Sequence, residues 1–226
     1  MTRTTTRTYW AAGAAVVLAV LFAVGATVAA PAGGTGAGAG TRPSLYSPDA
    51  GFARDMSVHH QQAVEMSFVV RDRTQDEPVR SLAYDIANTQ ANQRGMMLGW
   101  LDLWDLPKVV SGEPPMSWMA APEQGGHTGH AGHGAQAAQD GALMPGMATK
   151  EELVRLGAAG GRDAEVLYLQ LMTDHHKGGV AMAEACARQC RVPAERALAQ
   201  GMAEAQQSEL TLMADMLKQR GAAPRG

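Results

Sequence analysis

All seven histidines of the 226-residue chain fall into three groups: the pair His59-His60, the pair His175-His176, and His127, His130 and His133 at intervals of three. Methionine, 14 residues in all, gathers around them: Met56 and Met66 flank the first pair, Met172 and Met182 the second, and Met116, Met119, Met144 and Met147 bracket the series. An imidazole nitrogen is a neutral donor, and soft thioether sulfur discriminates against hard ions such as Mg²⁺ and Ca²⁺. The combination therefore suits copper, Cu(I) ahead of Cu(II). At ~100° per residue on a helix, Met172, His175, His176 and Met182 converge on one stripe, and Met56, His59, His60 and Met66 are placed identically. Taken alone, a helical His pair is more often a hydrogen-bonded packing feature, and Met at helical spacing usually fills core space. Two equivalent pairs, each flanked by Met on both sides, favour ligation.

The third group lies in a different kind of sequence. Residues 116–147 set Met116-x-x-Met119, His127-x-x-His130-x-x-His133 and Met144-x-x-Met147 among Gly, Ala, Pro and Gln. Few large apolar side chains are present to offset the entropy of ordering such a segment, so it is expected to be flexible, with its Met and His exposed. Capture of copper explains that pattern, with Zn²⁺ or Ni²⁺ at the three histidines as a lesser alternative; a low-complexity spacer is the bland reading. Cys186 and Cys190 stand four apart on the Met172 to His176 face. In an exported chain they are expected to be oxidised, at a helix end near Pro193; reduced, they form a third soft-metal site.

The elements that must position these residues are legible from a repeat. Residues 52–66 (FARDMSVHHQQAVEM) align without gaps on residues 168–182 (YLQLMTDHHKGGVAM) at an offset of 116. The same offset carries Leu82 onto Leu198, Gln90 onto Gln206, Met97 onto Met213 and Leu101 onto Leu217, which implies two copies of one helical hairpin. Helices are expected near 49–73, 79–104, 163–190 and 194–219, with Pro78 and Pro193 in the first turns of the second and fourth. Ser47-Pro48 opens the first, and Thr149 to Glu152 fits a capping box for a short extra helix. Ile86, Gln90, Gln93, Met97 and Leu101 share one face, as do Met202, Gln206, Glu209, Met213 and Leu217, and both faces are expected to point inward. Burying such faces against each other gives an all-α, antiparallel four-helix bundle over 47–219, with 106–149 as the crossover.

Residues 1–30 read as an export signal: Arg3 and Arg7 without an acidic residue, then an uncharged run from Trp10 to Ala30. The run is long enough to span a bilayer as an uncleaved apolar helix, and Val28-Ala29-Ala30 offers a cleavage site, so both outcomes stay open. Either places the rest outside the cytoplasm, tethered through a flexible 31–46 linker, with the membrane touched only through the N-terminal segment. The formal charge of −3, or −5 once Arg3 and Arg7 are set aside, argues against nucleic acid as a partner. No Glu stands three residues before a His, against a carboxylate di-iron centre, and no nucleophile or phosphate-loop motif is present, so no catalysis is expected.

The paired Met-x-x-His-His elements, each with a following Met, and Met144-Pro145-Gly146-Met147 before the second one resemble domain-of-unknown-function family 305, over roughly residues 45–219. The resemblance implies a ferritin-like four-helix bundle, commonly exported, with some members associated with copper binding and tolerance. By position it supports Met56, His59, His60, Met66, Met172, His175, His176 and Met182 as ligands. One departure is visible: where the family commonly has Gln-x-x-Glu in the second helix, the first copy reads Gln90-x-x-Gln93 and the second Gln206-x-x-Glu209. The expected function is extracytoplasmic copper sequestration or buffering. The alternatives are a metal-free structural or interaction module of the cell envelope and, more weakly, a metal-dependent redox enzyme.

Overall fold

The computed structural model describes residues 42–120 and 138–225. The N-terminal segment, residues 31–41 of the tether, and His127, His130 and His133 lie outside the described residues. Within them the chain is all-helical: α1 (Pro48–Arg71), α2 (Glu77–Leu103), a 3₁₀ turn at Ser117–Met119, α3 (Lys150–Ala158), α4 (Gly161–Gln189) and α5 (Pro193–Gln219). None of these helices is long and apolar enough to cross a membrane.

The helix starts follow from local chemistry. Ser47 accepts a hydrogen bond from the Ala50 N–H ahead of Pro48, and Asp76 does the same for Val79 ahead of Pro78. Thr149 and Glu152 close the reciprocal capping box of α3. Val192 has no capping side chain of its own for α5; instead Asp49, at the start of α1, accepts the N–H groups of Arg191 and Val192 at 2.8 and 2.7 Å. A carboxylate from another helix thus supplies the charge that a helix N-terminus favours.

Helices α1 and α2 form one hairpin and α4 and α5 the other, and the hairpins meet principally through α1 and α4. Contacts along that seam show the two helices running antiparallel. Asp49 meets the end of α4, the Ser67 hydroxyl pairs with Tyr168 at 3.0 Å, and Thr74 donates to Glu165 at 2.6 Å. Two apolar clusters fill the interior, each drawing on all four long helices. One contains Phe52, Met56, Met97, Leu101, Met182, Cys186 and Met202; the other contains Met66, Leu82, Ile86, Tyr168, Met172, Met213 and Leu217. At the second cluster's end, Arg220 ties α5 to Asp76 and to Glu165, both at 2.7 Å.

The 106–149 crossover departs from the expectation of a wholly flexible segment. Trp118 is buried edge-on against Phe52, and its indole N–H donates to Asp55 at 2.9 Å. Met144 and Met147 are in the core at 1% and 8% exposure, while Met116 and Met119 are partly buried against it. The four methionines expected to be exposed are therefore packed. Low average hydropathy hid this, because a few well-placed large side chains anchor a segment whatever surrounds them. The strap 144–148 is held from both sides. Gln62 on α1 exchanges two hydrogen bonds with the Ala148 backbone, at 2.9 and 2.7 Å. On α4, Gly178 admits the Pro145 carbonyl, which would lie 2.1 Å from a Cβ placed there, and Gly146 turns the strap at a φ of +80°.

Because that clash is with backbone, it has no flexible side chain to absorb it. Gly178→Ala is expected to destabilise the protein by about 1–3 kcal/mol. Thermal unfolding followed by circular dichroism checks this, and an unchanged melting temperature would show that the strap is not seated on α4.

Candidate metal centre

Between the two apolar clusters, one turn beyond Met56 on α1 and Met172 on α4, the chain places a polar layer. His59, His60, His175 and His176 are all completely buried. The rings of His59 and His175, from the two hairpins, lie tilted against each other with centroids 3.8 Å apart and planes 35° apart; the His175 and His176 centroids are 6.4 Å apart. The strap covers this layer, its Pro145 carbonyl approaching the His59 ring.

Each hairpin supplies a partner for its outer histidine from its second helix, at the same separation of 33 residues. His60 Nε2 meets Gln93 Oε1 at 2.8 Å, and His176 Nε2 meets Glu209 Oε2 at 2.6 Å. His175 Nε2 meets the backbone carbonyl of His59 at 3.0 Å. A carbonyl or carboxylate oxygen accepts, so Nε2–H is the donor in each contact, and in His60 and His175, which burial keeps neutral, Nδ1 retains a free lone pair. Those three Nδ1 atoms are buried and have no hydrogen-bond partner; in His59 neither ring nitrogen has one. Gln90 Oε1 and Gln206 Oε1 are also buried without a partner, and Gln206 reaches α4 because residue 179 is glycine.

His59, His60 and His175 are held neutral. Burial pushes His59 down to about 3, aided by the proximity of His60 and His176 and opposed by the Pro145 carbonyl. Burial likewise lowers His60 to about 4 against the pull of Gln93, and it drives His175 well below the usual imidazole value. Metal binding to these rings at neutral pH therefore has no proton to displace at the open nitrogens.

The four methionines that sequence spacing groups with the histidines are all completely buried, but they divide between the clusters: Met56 with Met182 on one side of the layer, Met66 with Met172 on the other. The layer is thus lined by sulfur above and below rather than forming one closed cage. Among the described residues, the one set of three His, Cys, Asp or Glu donor atoms within 4.8 Å of one another lies elsewhere, at Cys186, Cys190 and Glu195. Cys186 and Cys190 are joined as a disulfide with Cα atoms 4.8 Å apart, so the oxidised alternative is the one observed. From the amino-acid order Gln93 and Glu209 are legible only as inward-facing helix positions and as a departure between the copies. Their role as histidine partners was signalled by the equal spacing of 33, but only the helix crossing shows which atoms meet.

The arrangement defines an all-helical protein with a buried histidine layer in a methionine-rich core. The chain belongs to DUF305, a domain of unknown function, which matches over residues 49–217. Among solved structures, it is similar to a DUF305 protein from Streptomyces coelicolor provisionally described as secreted, with 58% identity and a TM-score of 0.69 over 81% of this chain and 99% of the other. A DUF305 fragment from Deinococcus radiodurans is 27% identical, with a TM-score of 0.59 over 78% and 99%. CopM in its Cu(I)-bound form is 19% identical, with a TM-score of 0.53 over 76% and 96%, and shares the fold. No curated protein matches the chain.

Unfolded imidazoles take up protons near pH 6.5, whereas these buried ones refuse them until far lower pH, so acid favours the unfolded state. Metal-free protein is expected to lose stability as pH falls from about 6.5 to about 5, above the carboxylate range, by up to roughly 1.4 kcal/mol per pH unit for each such histidine. Urea titrations at a series of pH values read this directly. A flat profile across that window would contradict the neutral layer.

Proposed function

We propose that the protein binds copper outside the cytoplasm, as a sequestering or buffering protein, through the histidine layer and its flanking methionines. The observation that carries this reading is the set of three buried Nδ1 atoms without a partner, on rings held from behind by Gln93, Glu209 and the His59 carbonyl. A packing role for the histidines predicts satisfied rings. Unpartnered buried nitrogens are costly, at about 1–3 kcal/mol each, and a metal ion is the ligand that relieves several together.

The donor set points to Cu(I) ahead of Cu(II), because His59, His60, His175 and His176 supply neutral nitrogen while Met56, Met66, Met172 and Met182 supply soft sulfur. The fold is shared with CopM, which has been seen with Cu(I), with Cu(II) and with silver bound, and those three forms are in keeping with this choice. The same reading extends to the crossover histidines His127, His130 and His133 as a second site for copper or Zn²⁺, on their sequence spacing alone. Met116, Met119, Met144 and Met147 flank it, and packing limits them to a supporting part. Export is supported by the Arg3, Arg7 and Trp10–Ala30 pattern, and by a disulfide that suits an oxidising compartment.

Competition with a Cu(I) chelator tests the reading. The wild type and a variant with His127, His130 and His133 replaced by Ala are expected to retain tight copper, and the His59, His60, His175 and His176 to Ala variant to lose it. Equal binding by the last variant would sink the proposal. Because removing four buried rings also affects folding, Glu209→Gln provides a milder arm. It keeps the shape and removes the charge behind His176, and is expected to weaken copper roughly tenfold or more at unchanged helicity.

A further inference from the structure

At the far end of the first apolar cluster, α4 finishes at Gln189 and Cys190 caps it, bonded to Cys186 one turn earlier. The chain turns through Arg191 and Val192 into α5, where Glu195 occupies the first turn. Glu195 is completely buried, neither of its oxygens closes a hydrogen bond, and no salt bridge reaches it among the described residues. One of its carboxyl oxygens and the two Sγ atoms lie within 4.8 Å of one another. Its carboxyl lies beside the Asp49 carboxylate, a side-chain contact that favours its protonated form. Its neighbour Asp49 is already occupied with the Arg191 and Val192 N–H groups, and the Asp49 charge repels a second one. Burial and Asp49 together push the Glu195 carboxyl up to about 9, so it waits as the neutral acid. A buried carboxyl within 4.8 Å of two sulfurs is a ligand set short of a cation.

We propose that reduction of the Cys186–Cys190 disulfide converts this pocket into a second metal site, in which both thiolates and the Glu195 carboxylate hold a thiophilic cation of the Zn²⁺ or Cd²⁺ class. The site is separate from the histidine layer and does not rest on the copper reading. A dithiol supplies the reduction: it gives two electrons and two protons, becomes a disulfide itself, and leaves two thiols at Cys186 and Cys190. A divalent cation then displaces one proton from each thiol and one from Glu195, forming two metal–sulfur bonds and one metal–oxygen bond. Cysteines four apart on a helical turn present both sulfurs to one ion, and the carboxylate completes three protein ligands. Reoxidation removes both sulfur ligands and expels the cation, so occupancy follows thiol redox state.

The test uses the full chain, reduced with a water-soluble phosphine, desalted without oxygen and titrated with Cd²⁺. The readout is the ultraviolet thiolate-to-cadmium band, with circular dichroism on the same sample. The reduced protein is expected to develop the band and saturate at a single equivalent, and the oxidised protein and a Cys186→Ser, Cys190→Ser variant to show none. Glu195→Gln is expected to weaken cadmium roughly tenfold or more. The variant lacking His59, His60, His175 and His176 is expected to keep the band. Absence of the band in the reduced wild type overturns the proposal. So does an affinity indifferent to Glu195→Gln, which is also the behaviour of thiols captured in an unfolded chain.

Discussion

Dehydrating four imidazoles in the middle of an apolar core is the constraint around which the rest of the molecule is arranged. A buried polar ring must be neutral and must find partners, and here each condition is met only in part. Burial and mutual repulsion keep His59, His60 and His175 uncharged. Gln93, Glu209 and the His59 carbonyl satisfy one nitrogen of three rings and leave the opposite nitrogen bare. The fold therefore carries an uncompensated desolvation cost that an apolar layer would avoid. A partly satisfied polar layer weakens a structure unless a ligand completes it. Under the copper reading, binding and folding stability are linked, since an ion that occupies only the folded layer stabilises it by mass action.

The surrounding elements make sense as the frame for that layer. Methionine clusters above and below keep water out while offering polarizable atoms. Gln62 and Gly178 clamp the strap that roofs His59, and Gly178 is small because the Pro145 carbonyl takes up the space of a Cβ. The two ends of the seam are tied by different means. Asp49 caps α5 from α1 at one end, and at the other Arg220 joins Asp76 with Glu165. The two halves are not electrically equal. His60 is backed by a neutral amide and His176 by a carboxylate, which makes the second half the stronger donor.

Much of this is readable in the amino-acid order. Periodicity and the constant offset of 116 place the four long helices within a few residues, and Ser47, Pro48, Thr149, Glu152 and Pro193 mark starts that the structure keeps. Membership of DUF305 is legible from the Met-x-x-His-His elements and Met144-Pro145-Gly146-Met147. What the order conceals is three-dimensional partnership. Stripe geometry brings Met172, His175, His176 and Met182 to one face of α4, but a stripe 10 residues long spans a core, so its ends fall in different clusters. Composition marked 116–147 as unpackable, yet Trp118, Met144 and Met147 are buried, because anchoring depends on individual contacts rather than on averages. Glu195 carries no sequence signal, being one more acid in a helix's first turn until burial isolates it.

The most direct test of the account is the protonation pattern of the histidine rings in solution. In metal-free protein at neutral pH, long-range proton–nitrogen NMR correlations should show His60 and His175 as neutral Nε2–H tautomers. Addition of Cu(I) should then perturb Nδ1 of those rings while Nε2 keeps its proton. Rings that are protonated on both nitrogens, or that carry their single proton on Nδ1 and ignore copper, would contradict it.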